Sequence, residues 1–243
     1  MSPALPQPPT IGPIDDPLSY PGDISEKNFL LAGSWLYKLR PIRQRRIGQW
    51  MLRVDGGPLG VSGERNAPIS RLSLALLALN AAHMNARFPV LAIGSNASPL
   101  QLFNKLETGP ASSIVPVTRC TVRGISVGRS AHISNPGYIP NIPISVENST
   151  IETHVLWLDR YQLEEIGSTE PNYDLVCVSG ERYPLVLDSK DSIRLYSLYR
   201  GKWDALKLVD DSIESGEETQ RETYGKLVLQ QWFRELVNSS EIE

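Results

Sequence analysis

Two short stretches of this chain carry residue types whose spacing can do chemistry. The first is Gly94-Ser95-Asn96, between the apolar run Val90 to Ile93 and the pair Ser98-Pro99. A strand that breaks at glycine and restarts as a helix points several backbone N–H groups at one spot. Such a cradle can hold a carboxylate or a developing oxyanion. The second stretch is Ile166-Gly167-Ser168-Thr169-Glu170-Pro171-Asn172-Tyr173. Its Glu170 can take a proton from one group and return it to another if it reaches such a cradle. Alone, each stretch is unspecific, because a loop carboxylate is ordinarily solvated. Their meaning depends on whether the fold brings them together.

The elements around them can be read from pattern. Val90 to Ile93 is a strand. Ser98, Pro99 and Gln101 spell the start of a helix, with Ser98 as N-cap, proline at the first helical position and a capping-box glutamine. Leu102 and Leu106 give that helix an apolar stripe. From Val115 the chain turns to β character: Val117 to Val127, Ile142 to Val146 and Ile151 to Leu158 read as strands. Pro143 places the second at an edge or a bend. Pro136-Gly137 is a turn. Asp159 and Gln162 cap a short helix that runs to about Ile166. Leu175 to Val178, Tyr183 to Leu187 and Ile193 to Tyr199 are further strands. Helix-rich sequence comes first, strands fill the middle, and Glu217 to Val237 is a closing helix behind the acidic loop Asp210 to Glu218. That order is α+β with an antiparallel or mixed sheet.

The first ninety residues divide in two. Residues 1 to 22 are proline-rich and read as a tail or an extended wrap. Asp23 to Leu39 and Ser70 to Asn85 read as helices, the second well buried with His83 packed on its apolar stripe, separated by the glycine-rich loop Gly56 to Gly63. The expected organisation is a tail (1–22), a helical extension packed on the core (23–88) and a main domain (89–243).

Composition excludes several classes. The 243 residues are 41% hydrophobic and 21% charged, with formal net charge −3, so no overall field attracts nucleic acid. The basic run from Arg40 to Arg53 reads as a solvated helix or loop face, with a site for an anionic partner as the alternative. Cys120 and Cys177 lie in strand-like runs and read as buried thiols in a reducing compartment. No secretory signal and no membrane-spanning run is visible, which points to a cytoplasmic protein without a membrane partner. His83, His132 and His154 are scattered, and neither cysteine belongs to a paired-ligand motif, so no metal site is expected. His132 and Ser134 stand near Gly137-Tyr138, at the border of a pocket or in an exposed loop.

The order of these features resembles the gamma-glutamylcyclotransferase-like superfamily. That family has a strand ending in an aromatic-Gly-Ser-Asn loop, matched by Ile93-Gly94-Ser95-Asn96. A later Gly-Tyr turn is matched by Gly137-Tyr138. A strand, a short helix and a glutamate followed by tyrosine are matched by Val155 to Leu163, Glu170 and Tyr173. A later tyrosine-bearing strand is matched by Leu195 to Tyr199. The resemblance covers roughly residues 89 to 200. It implies a small mixed or antiparallel β-barrel with flanking helices, here preceded by an α-rich N-terminal extension. It also implies cyclisation of a γ-glutamyl amine or peptide to 5-oxoproline, with release of the amine and without cofactor or metal. Glu170 would be base and then acid. Ile93, Gly94, Ser95, Asn96, Tyr138, Tyr173 and Tyr196 would bind the γ-glutamyl substrate, and the two tyrosines Tyr173 and Tyr196 can equally be barrel packing.

Three features depart from the family pattern. Ile93 stands where the family has an aromatic residue, about ninety residues precede the loop, and Tyr173 follows Glu170 by only three positions. The extension can cover the barrel mouth, form a homodimer or bind another partner. The Gly-Ser-Asn turn also resembles the opening of pterin pyrophosphokinases of folate synthesis, but the paired aspartates and basic nucleotide segment of that family have no counterpart downstream. A non-enzymatic reading, the same fold as a silent binding or interaction module, stays open. It is separated from the enzyme by whether Glu170 points into a pocket rimmed by Gly94 to Asn96.

Overall fold

A computed structural model of the chain describes residues 12–14, 16–53, 57–58 and 69–206. The expected helix Glu217 to Val237, the acidic loop before it and most of the proline-rich tail lie outside the described residues.

The architecture is α+β, dominated by one twelve-stranded mixed sheet among the described residues. The strands in chain order are β1 (Phe29–Ala32), β2 (Trp35–Arg40), β3 (Met51–Arg53), β4 (Gly57–Pro58), β5 (Ile69–Arg71), β6 (Phe88–Ala92), β7 (Ile114–Arg129), β8 (Asn141–Leu158), β9 (Tyr173–Ser179), β10 (Leu185–Leu187), β11 (Ser192–Ile193) and β12 (Leu195–Gly201). The helices are α1 (Leu72–Ala78), α2 (Pro99–Glu107) and α3 (Arg160–Ser168). The main path of pairing runs β5-β3-β2-β1-β7-β8-β6-β12-β9.

This sheet is open, which corrects the expected barrel. Closure needs the first and last strands to pair. Here the flank of β7 is taken by β1 at Ile114 to Val117 and by β10 at Cys120 to Val122. The sheet therefore grows outward through β1, β2, β3 and β5 instead of curling back to β9. Among its described residues the N-terminal extension is correspondingly not α-rich. Asp23 to Leu39 contains a β-hairpin, because Gly33-Ser34 forms a two-residue turn with Gly33 at φ 57° and splits the apolar run into Phe29–Ala32 and Trp35–Arg40. Aromatic Phe29, Trp35 and Tyr37 suit a pleated surface.

The expected helix Ser70 to Asn85 is reduced to α1. Asn80 adopts a left-handed conformation (φ 51°) and its N–H bonds to Leu77 O, while Ala81 N–H bonds to Leu76 O. Those two bonds make a Schellman stop. Leu72 and Leu76 are buried, but Leu74, Leu77 and Leu79 are exposed, and His83, past the helix end, is exposed too. Cys120 is buried as expected. Cys177 is exposed, because strand alternation on the edge strand β9 turns it outward with Leu175.

Strand parity divides the core into two layers. Leu30, Leu91, Val155, Trp157, Tyr196 and Leu198 face one side, with α1. Phe29, Leu31, Val90, Ala92, Leu156, Leu158 and Tyr199 face the other, with α2 and α3. The candidate chemistry lies on the second side. There α3 is fixed by its first turn. Asp159 Oδ1 accepts from Gln162 N–H at 3.0 Å, and Gln162 Oε1 accepts from Asp159 N–H at 3.0 Å. The buried Gln162 also donates to Ser112 O and Ile114 O and accepts from Arg87. The same residue thus closes the cap and ties α3 to the start of β7.

His154, opposite Arg119 on the β7–β8 ladder, is buried. Burial, with the Arg119 cation, pushes its imidazole down to about 4. The native state therefore keeps it neutral, while an unfolded chain protonates it near its ordinary 6.5. Its contribution is complete above pH 6.5 and is lost as pH falls towards 4. Chemical-denaturation midpoints are expected to decline across that window, with a shallower decline in His154→Gln.

Candidate active site

The strand β6 ends at Ala92, and Gly94 turns the chain at φ 94°, ψ −143°. A β-carbon there would lie 2.3 Å from Tyr20 Oη, so glycine is needed both for the dihedral and for the space. Ser95–Ala97 forms one 3-10 turn and α2 follows directly. Ser98 is the N-cap by position, but its side chain makes no capping bond, so the expected Ser98–Gln101 capping box is absent. Gln101 is buried in the site instead.

Glu170 opens the turn that follows α3. Its carbonyl accepts from Tyr173 N–H at 3.0 Å, and Pro171 fills the second position, where its fixed φ suits a β-turn. The short spacing of Glu170 and Tyr173 is that of one tight turn. The turn aims the Glu170 carboxylate back at the Gly94 loop. Asn96 Nδ2 donates to Glu170 Oε1 at 2.9 Å. Lys105 Nζ, two turns into α2, donates to the same oxygen at 2.6 Å and to Asn96 Oδ1 at 2.7 Å. The three side chains form a closed ring of charge-assisted bonds. Only 12% of the Glu170 side chain and 17% of that of Lys105 is exposed. Glu170 Oε2 takes no hydrogen bond from a described residue.

These groups line one pocket of about 380 Å³ together with Ile93, Ser95, Tyr20, Tyr138, Tyr173 and Tyr199. Burial raises the phenols of Tyr20, Tyr138, Tyr173 and Tyr199, and the Glu170 charge adds to the rise in each. All four hold their protons at neutral pH and so keep an O–H to donate. Tyr173 Oη donates to Asn141 O at 3.2 Å. Lys105 is the one lysine or arginine among the described residues that line the pocket.

Three buried side chains around this pocket carry a polar atom without a partner. They are Gln101 Nε2, His132 Nε2 and Tyr199 Oη. Buried polar groups are normally paired, and each orphan costs about 1–3 kcal/mol. Three in one pocket mark a place where a polar ligand or water gains bonds. His132 is held by Ser130 Oγ at 2.7 Å on Nδ1 and stacks on Trp203, and burial lowers its imidazole.

The structure therefore brings Glu170, Ile93, Ser95, Asn96, Tyr138 and Tyr173 to one pocket, with Gly94 behind it against Tyr20. Tyr196 is the exception. Its hydroxyl donates to Tyr183 O at 2.9 Å within the α1-side core. Alternation puts Tyr196 and Tyr199 on opposite faces of β12, and only Tyr199 reaches the pocket. Tyr196→Phe is expected to cost about 1 kcal/mol of stability while leaving any activity of the pocket within twofold, by denaturation and initial-rate measurements.

Sequence reasoning missed Lys105, Gln101, Tyr199 and Tyr20. The first two had a signal. Gln101, Asn104, Lys105 and Thr108 recur at helical spacing beside the Gly-Ser-Asn turn and form a polar stripe. Such a stripe reads as a solvent face unless something else roofs it. Tyr20, in a proline-rich tail, had none. Among the described residues no group of three histidine, cysteine or acidic side chains could hold a metal ion, and no helix is long and apolar enough to cross a membrane.

No family model matches the chain, and no curated protein matches it. Two solved structures are similar. One is an Arabidopsis thaliana protein determined in solution, 15% identical, with TM-score 0.37, covering 65% of this chain and 95% of that one. The other is the crystal structure of YkqA from Bacillus subtilis, 10% identical, with TM-score 0.34, covering 80% of this chain and 65% of YkqA. Both likenesses are weak.

Proposed function

We propose that the chain cyclises a γ-glutamyl amine or peptide to 5-oxoproline and releases the amine, with Glu170 as the proton shuttle. One observation carries this reading: the Glu170 carboxylate lies in a pocket and is bonded to Asn96 of the Gly-Ser-Asn turn at 2.9 Å. The free Oε2 takes a proton from the substrate α-ammonium. The freed α-amine attacks the γ-carbonyl carbon, a ring C–N bond forms, and the carbonyl electron pair moves to oxygen. When that oxyanion collapses, the bond to the leaving amine breaks, Glu170 returns its proton to that nitrogen, and the amine departs as an ammonium by taking the second proton that the ring nitrogen sheds as it becomes the lactam N–H. Ring closure is intramolecular, so the pocket's main task is to fold the substrate into an attacking conformer.

Lys105 gives the site a cation for the substrate's α-carboxylate, since Nζ has a third N–H beyond those given to Glu170 and Asn96. Lys105→Met is expected to raise KM for γ-glutamyl substrates about tenfold, the scale of one charge-assisted bond. Steady-state kinetics check it, and an unchanged KM removes Lys105 from substrate binding. The whole reading is tested by screening γ-glutamyl amines and dipeptides for 5-oxoproline release by chromatography. No release from any of them sinks it.

A second reading rests on the same ion pair. A carboxylate already engaged by Lys105 at 2.6 Å can hold a zwitterionic ligand by exchanging partners, without reacting. Saturable calorimetric binding of a γ-glutamyl amine, recovered intact, would favour this binding module over the enzyme.

A further inference from the structure

Part of the pocket wall comes from far outside the Glu170 neighbourhood in sequence. Tyr20, just ahead of Gly22, is 6% exposed and stacks on Tyr138 with ring centroids 4.3 Å apart and planes 18° from parallel. Its hydroxyl occupies the space that the missing side chain of Gly94 leaves open. Asn141 N–H donates to Tyr20 Oη at 2.9 Å, and the backbone amide of Ser95 also favours negative charge on that oxygen. The hydroxyl donates to none of the described residues.

This arrangement changes what the strand-to-helix turn presents to a ligand. A backbone cradle binds an anion by offering N–H groups directly. Here a phenol oxygen is seated against the loop and receives from the backbone. An O–H whose oxygen already accepts a hydrogen bond is polarised and donates more strongly. Burial keeps this phenol above its ordinary range, against the opposing pull of the Asn141 and Ser95 amides, so the proton stays on it at neutral pH. Glu170 is close enough to add to that rise. The donor and the carboxylate thus face one cavity from opposite ends of the chain's sequence.

We infer that Tyr20 supplies the hydrogen bond to the substrate oxygen that becomes negative during ring closure, so that the N-terminal segment completes the active site. The inference rests on the cyclisation reading. In the step concerned, the α-amine nitrogen bonds to the γ-carbonyl carbon and the carbonyl electron pair moves onto oxygen. Tyr20 donates to that oxygen without giving up its proton. The pair returns as the amine leaves, and Glu170 supplies the amine's proton.

The test is Tyr20→Phe in the full chain, assayed with whichever γ-glutamyl substrate the wild type turns over. A preorganised oxyanion donor is worth about 10²-fold or more in kcat, so kcat is expected to fall about a hundredfold with KM held within threefold. A purely structural role for Tyr20 predicts no such split. Should the phenylalanine variant fail to fold, 3-fluorotyrosine at position 20 keeps the ring and the Asn141 bond while changing the donor's acidity. A twofold or larger change in kcat at constant KM is then the expected result. Wild-type turnover with kcat unchanged in the folded phenylalanine variant, or in the fluorotyrosine protein, overturns the role of Tyr20 alone. A wild type that forms no 5-oxoproline from any γ-glutamyl compound overturns the cyclisation reading, and this inference with it.

Discussion

Glu170→Gln is expected to lower 5-oxoproline release about a thousandfold, within the usual range for removing a positioned acid–base group. The variant is informative because glutamine keeps the geometry. Its amide oxygen still accepts from Lys105 and Asn96, which hold Oε1 at 2.6 and 2.9 Å in the wild type. What disappears is the ability to take the α-ammonium proton and return it. Stability should fall only slightly, because the ion pair borders a cavity and is not sealed in the core. A loss of about 1–2 kcal/mol is expected, well under the cost of breaking a fully buried pair. In a domain of this size that is a melting temperature lower by several degrees. Wild-type kcat in a folded Glu170→Gln protein would exclude Glu170 as the shuttle.

Gly94→Ala is expected to damage both stability and function. The methyl group would stand 2.3 Å from Tyr20 Oη and 3.2 Å from Asn141 Cβ, at a backbone conformation that L residues rarely adopt. Strain at such a position costs about 1–3 kcal/mol and overpacking a similar amount. A total near 3 kcal/mol is expected from denaturant midpoints at constant slope. The clash can be relieved only by moving Tyr20 or the loop. Activity should therefore drop further than the folded fraction does, and circular dichroism read beside initial rates separates the two. An alanine variant with wild-type stability would mean that the loop and Tyr20 do not meet as described.

The parts of this site that sequence exposed are those with local grammar. Glycine before Ser98-Pro99 marks Gly94 to Asn96, a turn closed by Ala97 N–H to Gly94 O and Ser98 N–H to Ser95 O, and Asp159 with Gln162 marks the helix that delivers Glu170. Both depend on bonds between residues within a few positions of each other. The misjudged parts depend on long-range pairing. Phe29 to Leu39 carries apolar residues that suit a helix face or a strand pair equally, and β7 decides between them by accepting β1 along Ile114 to Val117. Tyr196 and Tyr199 look interchangeable in a list of strand tyrosines. Only the facing of β12 towards two separate cores tells them apart. Lys105 reads as an exposed helix cation until α3 and its turn roof it with Glu170. Tyr20 is legible only after folding, because its partners are about 75 to 120 positions away.

The wide separation of the pocket's walls also bears on how the molecule reaches its native state. Tyr20, Asn96, Asn141, Glu170 and Tyr199 converge only after β1 has found β7 and β12 has slotted in parallel beside β6. Few of these pairings are local, so the topology belongs with slow-folding, high-contact-order domains, on the millisecond-to-second scale. A nascent chain has its first pocket residue, Ile14, early and its last, Tyr199, about 185 positions later. During refolding from denaturant, helical signal should return before ligand-binding capacity, which must wait for the last strand to dock. The cavity is in that sense a reporter of the finished fold.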